Sequence, residues 1–557
     1  MSLAEQPQNY AEEAVQKYGY QQEFRREIKR FASFAIGFSF ISITTGIFTT
    51  YGFVLANSGP LGIWTWPAVI IGQVFVALVF ASLASRIPLA GYSYQWASRL
   101  ANPYVGWLIG WVSFVFLIVD VVAVDYAVAA TVLPGLFNYA GTPQNTWLAT
   151  AIVVFIQMLL IVFSTLWSSR INSTAVATEL IGIIGLTLLL IIVGAVRGLL
   201  HPDHVFSTGV VSSSGWFTLG SWTSAGPFML AFLLGAFTIV GFEAAANLAE
   251  ETTEAHRVVP TAMWTSVVLS GIVGFIFLFA LNLASGDLKA LSASSTPVAD
   301  VVTGILGQVV GDIFLVFVTF SIFACGLVIF ITASRLTWAM SRDERFPGYR
   351  LFRAVNRQTS TPAAATLLCG ILIEVVLAGF AILGIAVPGQ SNTLGYLFSA
   401  ATLLPAVIYL ATVVLYIYAR RKLPETHGFR LGAFEWPIII LSIVWLLFEL
   451  SIFRDALFGP PWIYSLVMFG IGLIYFVWML VTRPAVLRTV PEPAESDYSY
   501  LAIRVGANGG LVAARLHQLR AGWRYLCCGC GCAVVTRRPE DYCECGRKLS
   551  TGHVGAK

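Results

Sequence analysis

Charge is scarce in this chain: Asp, Glu, Lys and Arg together make up 11% of it, against 57% hydrophobic residues. That balance excludes an ordinary soluble domain, in which about a quarter of the residues are charged. No Gly-x-x-x-x-Gly-Lys-Ser/Thr loop occurs, so direct ATP drive has no support. Histidine is rare as well, and His201, Asp203 and His204 form the one His/Asp group in the loops. A scatter of acids across apolar runs without a converging cluster argues against an enzyme. Cysteine is almost missing before residue 527, with Cys325 and Cys369 alone in apolar stretches where they read as core residues. The net charge of +4 describes one Lys- and Arg-rich face of a membrane protein rather than any nucleic-acid surface.

What is abundant is length of apolar run. Stretches long enough to cross about 30 Å of hydrocarbon begin near Phe31, Pro67, Tyr104, Trp147, Thr174, Ala225, Thr261, Val309, Ala363, Leu394, Trp436 and Trp462. These twelve runs do not alternate in polarity, so they read as helices rather than barrel strands. The connecting segments on the N-terminal side carry 18 Lys and Arg, and those on the other side three, Arg197, Lys289 and Arg454. The asymmetry predicts a multi-pass protein of the plasma (inner) membrane with both termini in the cytoplasm. No cleavable signal peptide is expected before Phe31, and the first span directs insertion. The domain reading is a cytoplasmic arm (1–30), a twelve-helix membrane domain (31–482), a linker and tail (483–526) and a Cys-rich segment (527–557).

Two spans carry interruptions at matching positions. The first contains Ser42, Thr44, Thr45, Gly46, Ile47 and Phe48, and the sixth contains Val240, Gly241, Phe242 and Glu243. Small or polar residues beside a Gly inside a hydrophobic helix allow local unwinding that frees backbone groups for a ligand, although they also permit close helix packing. If spans 1 to 5 and 6 to 10 form an inverted repeat, the site lies between the two breaks. Half-helix amides near Thr45, Gly46 and Ile47 would face a carboxylate, and the carbonyls of Phe237 and Val240 an ammonium. Glu243 is the first residue to suspect, since a charge at bilayer depth persists mainly where it meets a cavity, a partner or a ligand. It can bind a substrate amine, order the unwound segment or take a proton. Asp120 and Asp125 differ by five residues, so only one squarely faces a common site, and Asp125 is nearer mid-span. Glu374 and Glu449 read as structural. Glu250 and Glu251, with Arg257 close in sequence, suggest either an ion-pair gate or a solvated loop.

These segments resemble the amino acid-polyamine-organocation superfamily, most nearly the bacterial branch of the amino acid/choline transporter family. The likeness rests on Thr44 to Phe48, on Gly241-Phe242-Glu243 with Asn247, Glu250, Glu251, Val259 and Pro260, and on Ile87, Pro88, Gly91, Tyr92, Tyr94 and Trp96, within Phe31 to Val481. Many relatives have Gly where Thr44 stands, and the Cys-rich tail lies outside the family pattern. The resemblance implies an all-α, LeuT-type fold of ten core helices in a 5+5 inverted repeat plus two more. It implies import of an amino acid or related small amine by alternating access. It places Phe237 where relatives have a ring that closes over substrate, a position that plain packing also explains. Glu179 falls where proton-coupled relatives carry an ionisable residue, so it is read either as a proton-coupling group or as a structural one bonded to Asn172 or a backbone carbonyl. No cofactor is expected for transport, and the partners are a small-molecule substrate, a proton and the lipid bilayer. A membrane sensor signalling through the tail is the rival reading.

Six of the eight cysteines lie in the last 31 residues. Cys527 and Cys530, then Cys543 and Cys545, approach two zinc knuckles and suggest a structural site of four thiolates, with the second pair one residue short. Disulfides are not expected in a cytoplasmic tail.

Overall fold

A computed structural model of the chain describes residues 15–491, apart from 17, 138, 164, 357, 387–392, 425, 427, 456, 457 and 489, and the backbone of three strands within 513–536. Helices fill the membrane unit, Glu23–Val490. The main ones are α1 (Arg30–Ile41), α2 (Ile43–Asn57), α3 (Trp66–Arg86), α4 (Tyr92–Leu100), α5 (Pro103–Thr131), α6 (Pro143–Phe163), α7 (Thr165–Arg197), α8 (Pro227–Ala231), α9 (Leu233–Thr238), α10 (Ala244–Asn247), α11 (Ala255–Ala284), α12 (Gln308–Arg342), α13 (Ala363–Ala386), α14 (Thr393–Ala419), α15 (Glu435–Ile452) and α16 (Gly459–Thr482), with short connecting helices at Leu133–Phe137, Leu288–Ala293, Pro297–Leu306 and Tyr349–Phe352.

Among the described residues eleven helical segments are long and apolar enough to span a bilayer, with α1 and α2 together forming the first. The sixth predicted run differs in kind. Its apolar helical part, Pro227–Thr238, is short, and the chain then unwinds before the single turn of α10. The departure is local: Ile239 already leaves helical geometry (φ −92°, ψ 58°), and Gly241 follows with φ +80°, a conformation that only glycine adopts without strain.

Burial orders these helices from inside to outside. In α5, 89% of the apolar stretch is buried, and 83% in the first span, against 28% in α15 and 11% in α16. The last two helices are therefore peripheral, and their exposed Ile, Leu and Val side chains suit a lipid environment. Lipid tails are as apolar as these side chains, so helices associate through close packing and hydrogen bonds. Small residues supply the closeness. A Cβ on Gly274 of α11 would lie 2.5 Å from the Trp66 ring of α3, and the same indole donates to the Gly271 carbonyl at 2.8 Å.

The tail strands β1 (Ala513–Leu519), β2 (Gly522–Cys527) and β3 (Ala533–Thr536) form an antiparallel sheet in that order, paired Leu519 to Gly522 and Leu526 to Ala533 at the turns. The first two strands fall in the segment expected to be linker. Cys530, Cys543 and Cys545 lie outside the described residues, and of Cys527 only the backbone is described.

Candidate functional site

The first span breaks at Ser42, whose φ of 35° and ψ of 96° separate α1 from α2. Two residues after the break redirect their helical hydrogen bonds. Thr44 N–H donates to Glu179 Oε1 (3.1 Å) and Thr45 N–H to Ser42 Oγ (3.3 Å), in place of the carbonyls of Phe40 and Ile41 four residues back. The Phe40 carbonyl accepts from Cys325 Sγ instead (3.4 Å). Glu179 of α7 thus seats its carboxylate on the N-terminus of α2, where backbone N–H groups and the helix dipole favour an anion. Thr44 Oγ1 lies 2.8 Å from both Glu179 Oε1 and Ser321 Oγ of α12, and Ser42 Oγ donates to the same carboxylate oxygen at 3.3 Å.

The predicted amide cradle is consequently occupied from within. Thr44 and Thr45 amides have the partners just given, and Gly46 N–H donates to the Ser42 carbonyl (3.0 Å). Glu179 pairs with Ser42, Thr44 and the α2 backbone, and the anticipated bond to Asn172 is replaced by these.

The second break frees carbonyls in the same manner. Gly241 N–H would reach the Phe237 carbonyl in a continuous helix, but it donates to Tyr409 Oη of α14 (2.9 Å). Ala244 N–H donates to Gly241 rather than to Val240. Phe237 and Val240 therefore both lose their regular helical donors, as expected of a broken helix end. Tyr409 Oη in turn donates to Glu243 Oε2 at 2.6 Å. Glu243 is 3% exposed and orders the unwound segment through this tyrosine. Tyr409 is missing from the sequence reading, because nothing local marks one tyrosine of an apolar run as the partner of a residue 166 positions away.

The two breaks brace each other. A Cβ on Gly46, just after the first, would sit 2.0 Å from Thr238 Oγ1, just before the second; a Cβ on Gly241 would sit 1.7 Å from the Phe40 ring. Phe237 meets Phe398 of α14 edge-on, with ring centroids 4.8 Å apart. Ile47 is fully buried in α2. Asp125 turns to a different interface. Gln157 Nε2 of α6 donates to its Oδ1 (2.9 Å), and Gly326 of α12 leaves space for that oxygen. Glu449 accepts from Gln73 at 3.2 Å between α15 and α3.

Toward the face rich in Lys and Arg, the end of the second broken span is locked. Glu250 pairs with Arg342 through both oxygens (2.8 and 3.0 Å) and accepts from Ala90 N–H (3.0 Å). Glu251 pairs with Arg335 at 2.8 Å. Both arginines come from α12, so the expected partner Arg257 is not the one used. Asn247 accepts from Gly91 N–H (2.6 Å) and donates to the Thr332 carbonyl (2.7 Å). The segment before α1 joins in: Ile28 pairs with Thr252 as an isolated bridge, and Arg26 donates to the Thr252 carbonyl. Burial holds the Glu251 carboxyl above its ordinary range, and Arg335 offsets only part of that rise.

Residues 28–481 match the family described as Amino acid permease. An uncharacterized amino-acid permease of Schizosaccharomyces pombe is 28% identical over 366 residues, covering 62% of this chain and 65% of its own length. Amino-acid permease BAT1 of Arabidopsis thaliana is 27% identical over 455 residues, 77% of this chain and 86% of its own. Among solved structures, a mutant manganese transporter of Eremococcus coleocola aligns over 82% of this chain and 95% of its own, with 14% identity and a TM-score of 0.48. With the family match extending over nearly all of the membrane unit, the chain belongs to the amino acid permease family, within the amino acid-polyamine-organocation superfamily.

Proposed function

We propose that this protein is a secondary transporter that imports amino acids or related small amines by alternating access, coupled to protons through Glu179. The observation that carries the reading is the pair of mutually braced breaks, one holding a carboxylate on a helix N-terminus and the other releasing the Phe237 and Val240 carbonyls. An amino acid brings an ammonium suited to those carbonyls and to Glu243, and a carboxylate suited to the N-terminus of α2 around Thr44, Thr45, Gly46 and Ile47. In this conformation Glu179 holds that N-terminus. A neutral Glu179 gives up its hold on the Thr44 amide more readily than an ionised one. Protonation and arrival of a substrate carboxylate therefore favour one another, which is a physical basis for symport.

The basic face is the cytoplasmic one in this reading, with both termini there and the protein in the plasma membrane. The Glu250–Arg342 and Glu251–Arg335 pairs then form the inner gate, closed in this structure. Asp125 acts as a packing contact between α5, α6 and α12. The tail holds a structural zinc through Cys527, Cys530, Cys543 and Cys545.

The test is uptake of labelled amino acids and amines by proteoliposomes under an imposed inward proton gradient, with and without sodium. Accumulation driven by the proton gradient alone is expected. A ligand that binds but never accumulates under either gradient would sink the carrier reading and favour a sensor.

A further inference from the structure

One group of side chains of metal-binding type stands apart from the breaks and the ion pairs. It lies on the face poor in Lys and Arg, at the 3₁₀ turn Pro202–Phe206 that follows α7. His201, Asp203 and His204 each offer a ligand atom there, and the three atoms lie within 4.8 Å of one another. The local structure explains the convergence. Side chains three residues apart eclipse in a 3₁₀ turn, and the rings of His201 and His204 accordingly stack with centroids 4.8 Å apart and planes 17° from parallel. Neighbours on both sides fix the turn. Trp64 Nε1 donates to the Val205 carbonyl (3.0 Å), Leu61 N–H to the Ser207 carbonyl (2.8 Å), and His201 N–H to the Leu283 carbonyl at the end of α11 (2.7 Å).

Hydrogen bonding sets the tautomer of His204. Its Nδ1 lies 3.0 Å from both the Ser285 carbonyl oxygen and Ser285 Oγ. The carbonyl can only accept, and the hydroxyl donates its hydrogen to the Asn282 carbonyl at 2.7 Å. Nδ1 is therefore the donor, which in the neutral ring leaves a lone pair on Nε2. That nitrogen faces Asp203 Oδ2 at 3.8 Å. The separation is too long for an N–H···O hydrogen bond. It is close to the ~3.3 Å that separates two ligands of one tetrahedral zinc ion, each bound at about 2.0–2.1 Å. An imidazole whose other nitrogen donates to a backbone carbonyl is the usual form of a metal-bound histidine. Two acceptors facing each other in this way are complementary to a cation.

We infer that this turn binds a zinc ion through His201, Asp203 and His204 Nε2, and that the ion fastens the turn to the end of α11. Two imidazoles and a carboxylate suit zinc better than magnesium or calcium, which take oxygen ligands. Three protein ligands leave a fourth position for water. The Asp203 side chain is 79% exposed, so the small swing that brings its carboxylate onto the ion is little hindered. In the reading above this face is the outer one, and the site therefore meets zinc outside the cell. The inference does not depend on the coupling role of Glu179.

The experiment titrates zinc into full-length protein purified without added metal, comparing wild type with Asp203→Asn and with the double variant His201→Ala, His204→Ala. The tail cysteines are the same in all three, so zinc held there cancels in the difference. Wild type should bind about one more zinc per chain than the double variant, in the micromolar range, and Asp203→Asn should weaken that binding by about tenfold or more. Because Asp203 is exposed, its variant separates loss of a ligand from loss of the fold. Hydrogen exchange at the amide of residue 201, which donates to the Leu283 carbonyl, reports on the junction with α11. Added zinc should slow it by about tenfold or more in wild type and leave it unchanged in the double variant. Equal zinc content in wild type and the double variant overturns the site, and so does a difference that appears only at millimolar zinc. Exchange indifferent to bound zinc overturns the fastening of the turn.

Discussion

At the scale of single residues, the two buried carboxylates at the breaks differ in what replaces them. Glu179→Gln keeps an acceptor oxygen for Thr44 and Ser42, so the break should persist and substrate should still bind. What disappears is the proton, and gradient-driven accumulation should fall by about tenfold or more, an energetic difference of at least about 1.4 kcal/mol. Flux and binding measured on one preparation check this, and undiminished accumulation would remove Glu179 from the coupling step. Tyr409→Phe strips the Gly241 amide and Glu243 of one partner each. Leaving buried polar groups unmet costs about 1–3 kcal/mol for each, so Tyr409→Phe should unfold at clearly lower temperature. Glu243→Gln should be milder, because the amide oxygen still accepts from Tyr409. Thermal unfolding of the two variants in detergent tests the order, and equal stability of Tyr409→Phe and wild type would contradict it. The acids themselves were legible in the sequence, since a Glu inside an apolar run announces itself. Ser321 and Tyr409 were not, because hydroxyl side chains are common in membrane helices and only packing shows which of them meets a carboxylate.

Elements obey a similar division. The breaks were legible, because Gly241 and the Ser42 to Gly46 cluster interrupt otherwise continuous hydrophobic helix. The ion pairs of the proposed gate were half legible: Glu250 and Glu251 carried the signal, but proximity in sequence pointed to Arg257, and the partners come from the far end of α12, where Arg335 and Arg342 lie on one face seven residues apart. Sequence distance says little about contact between helices of separate spans. The gate also makes a prediction at this scale. Removing one partner of a buried ion pair strands the other charge and typically costs about 3–5 kcal/mol, so Arg342→Ala should loosen the contact between the end of the second broken span and the loop before α4. The Ala90 and Gly91 amides, held by Glu250 and Asn247, report on it through hydrogen exchange. Their exchange should quicken by about tenfold or more. Combining Glu250→Arg with Arg342→Glu should restore only part of the protection, because the reversed pair no longer offers Ala90 an acceptor. Unchanged exchange in Arg342→Ala would mean that the pair does not hold the gate.

For the whole molecule, the matched family ends at residue 481, the membrane unit at Val490, and the strands of the tail begin at Ala513. Every described contact that forms the two breaks and the Glu250 and Glu251 ion pairs lies before Val490, so the proposed transport site draws on the membrane unit. A chain ending at Val490 should therefore keep gradient-driven uptake close to that of the full protein. If the tail instead reads out the state of the membrane unit, truncation leaves ligand binding intact and abolishes a downstream response, and the uptake assay shows no loss because there was no flux to lose. The zinc content of the full chain sharpens the comparison. Four thiolates predict about one zinc per chain, lost together in Cys527→Ser with Cys530→Ser, since a tetrahedral site with two ligands removed does not hold the ion. Elemental analysis of the purified protein decides this, and a zinc-free wild type would remove the metal site from the tail. Should the double variant lose zinc and still transport at the wild-type rate, the metal belongs to the folding of the tail and not to the carrier cycle.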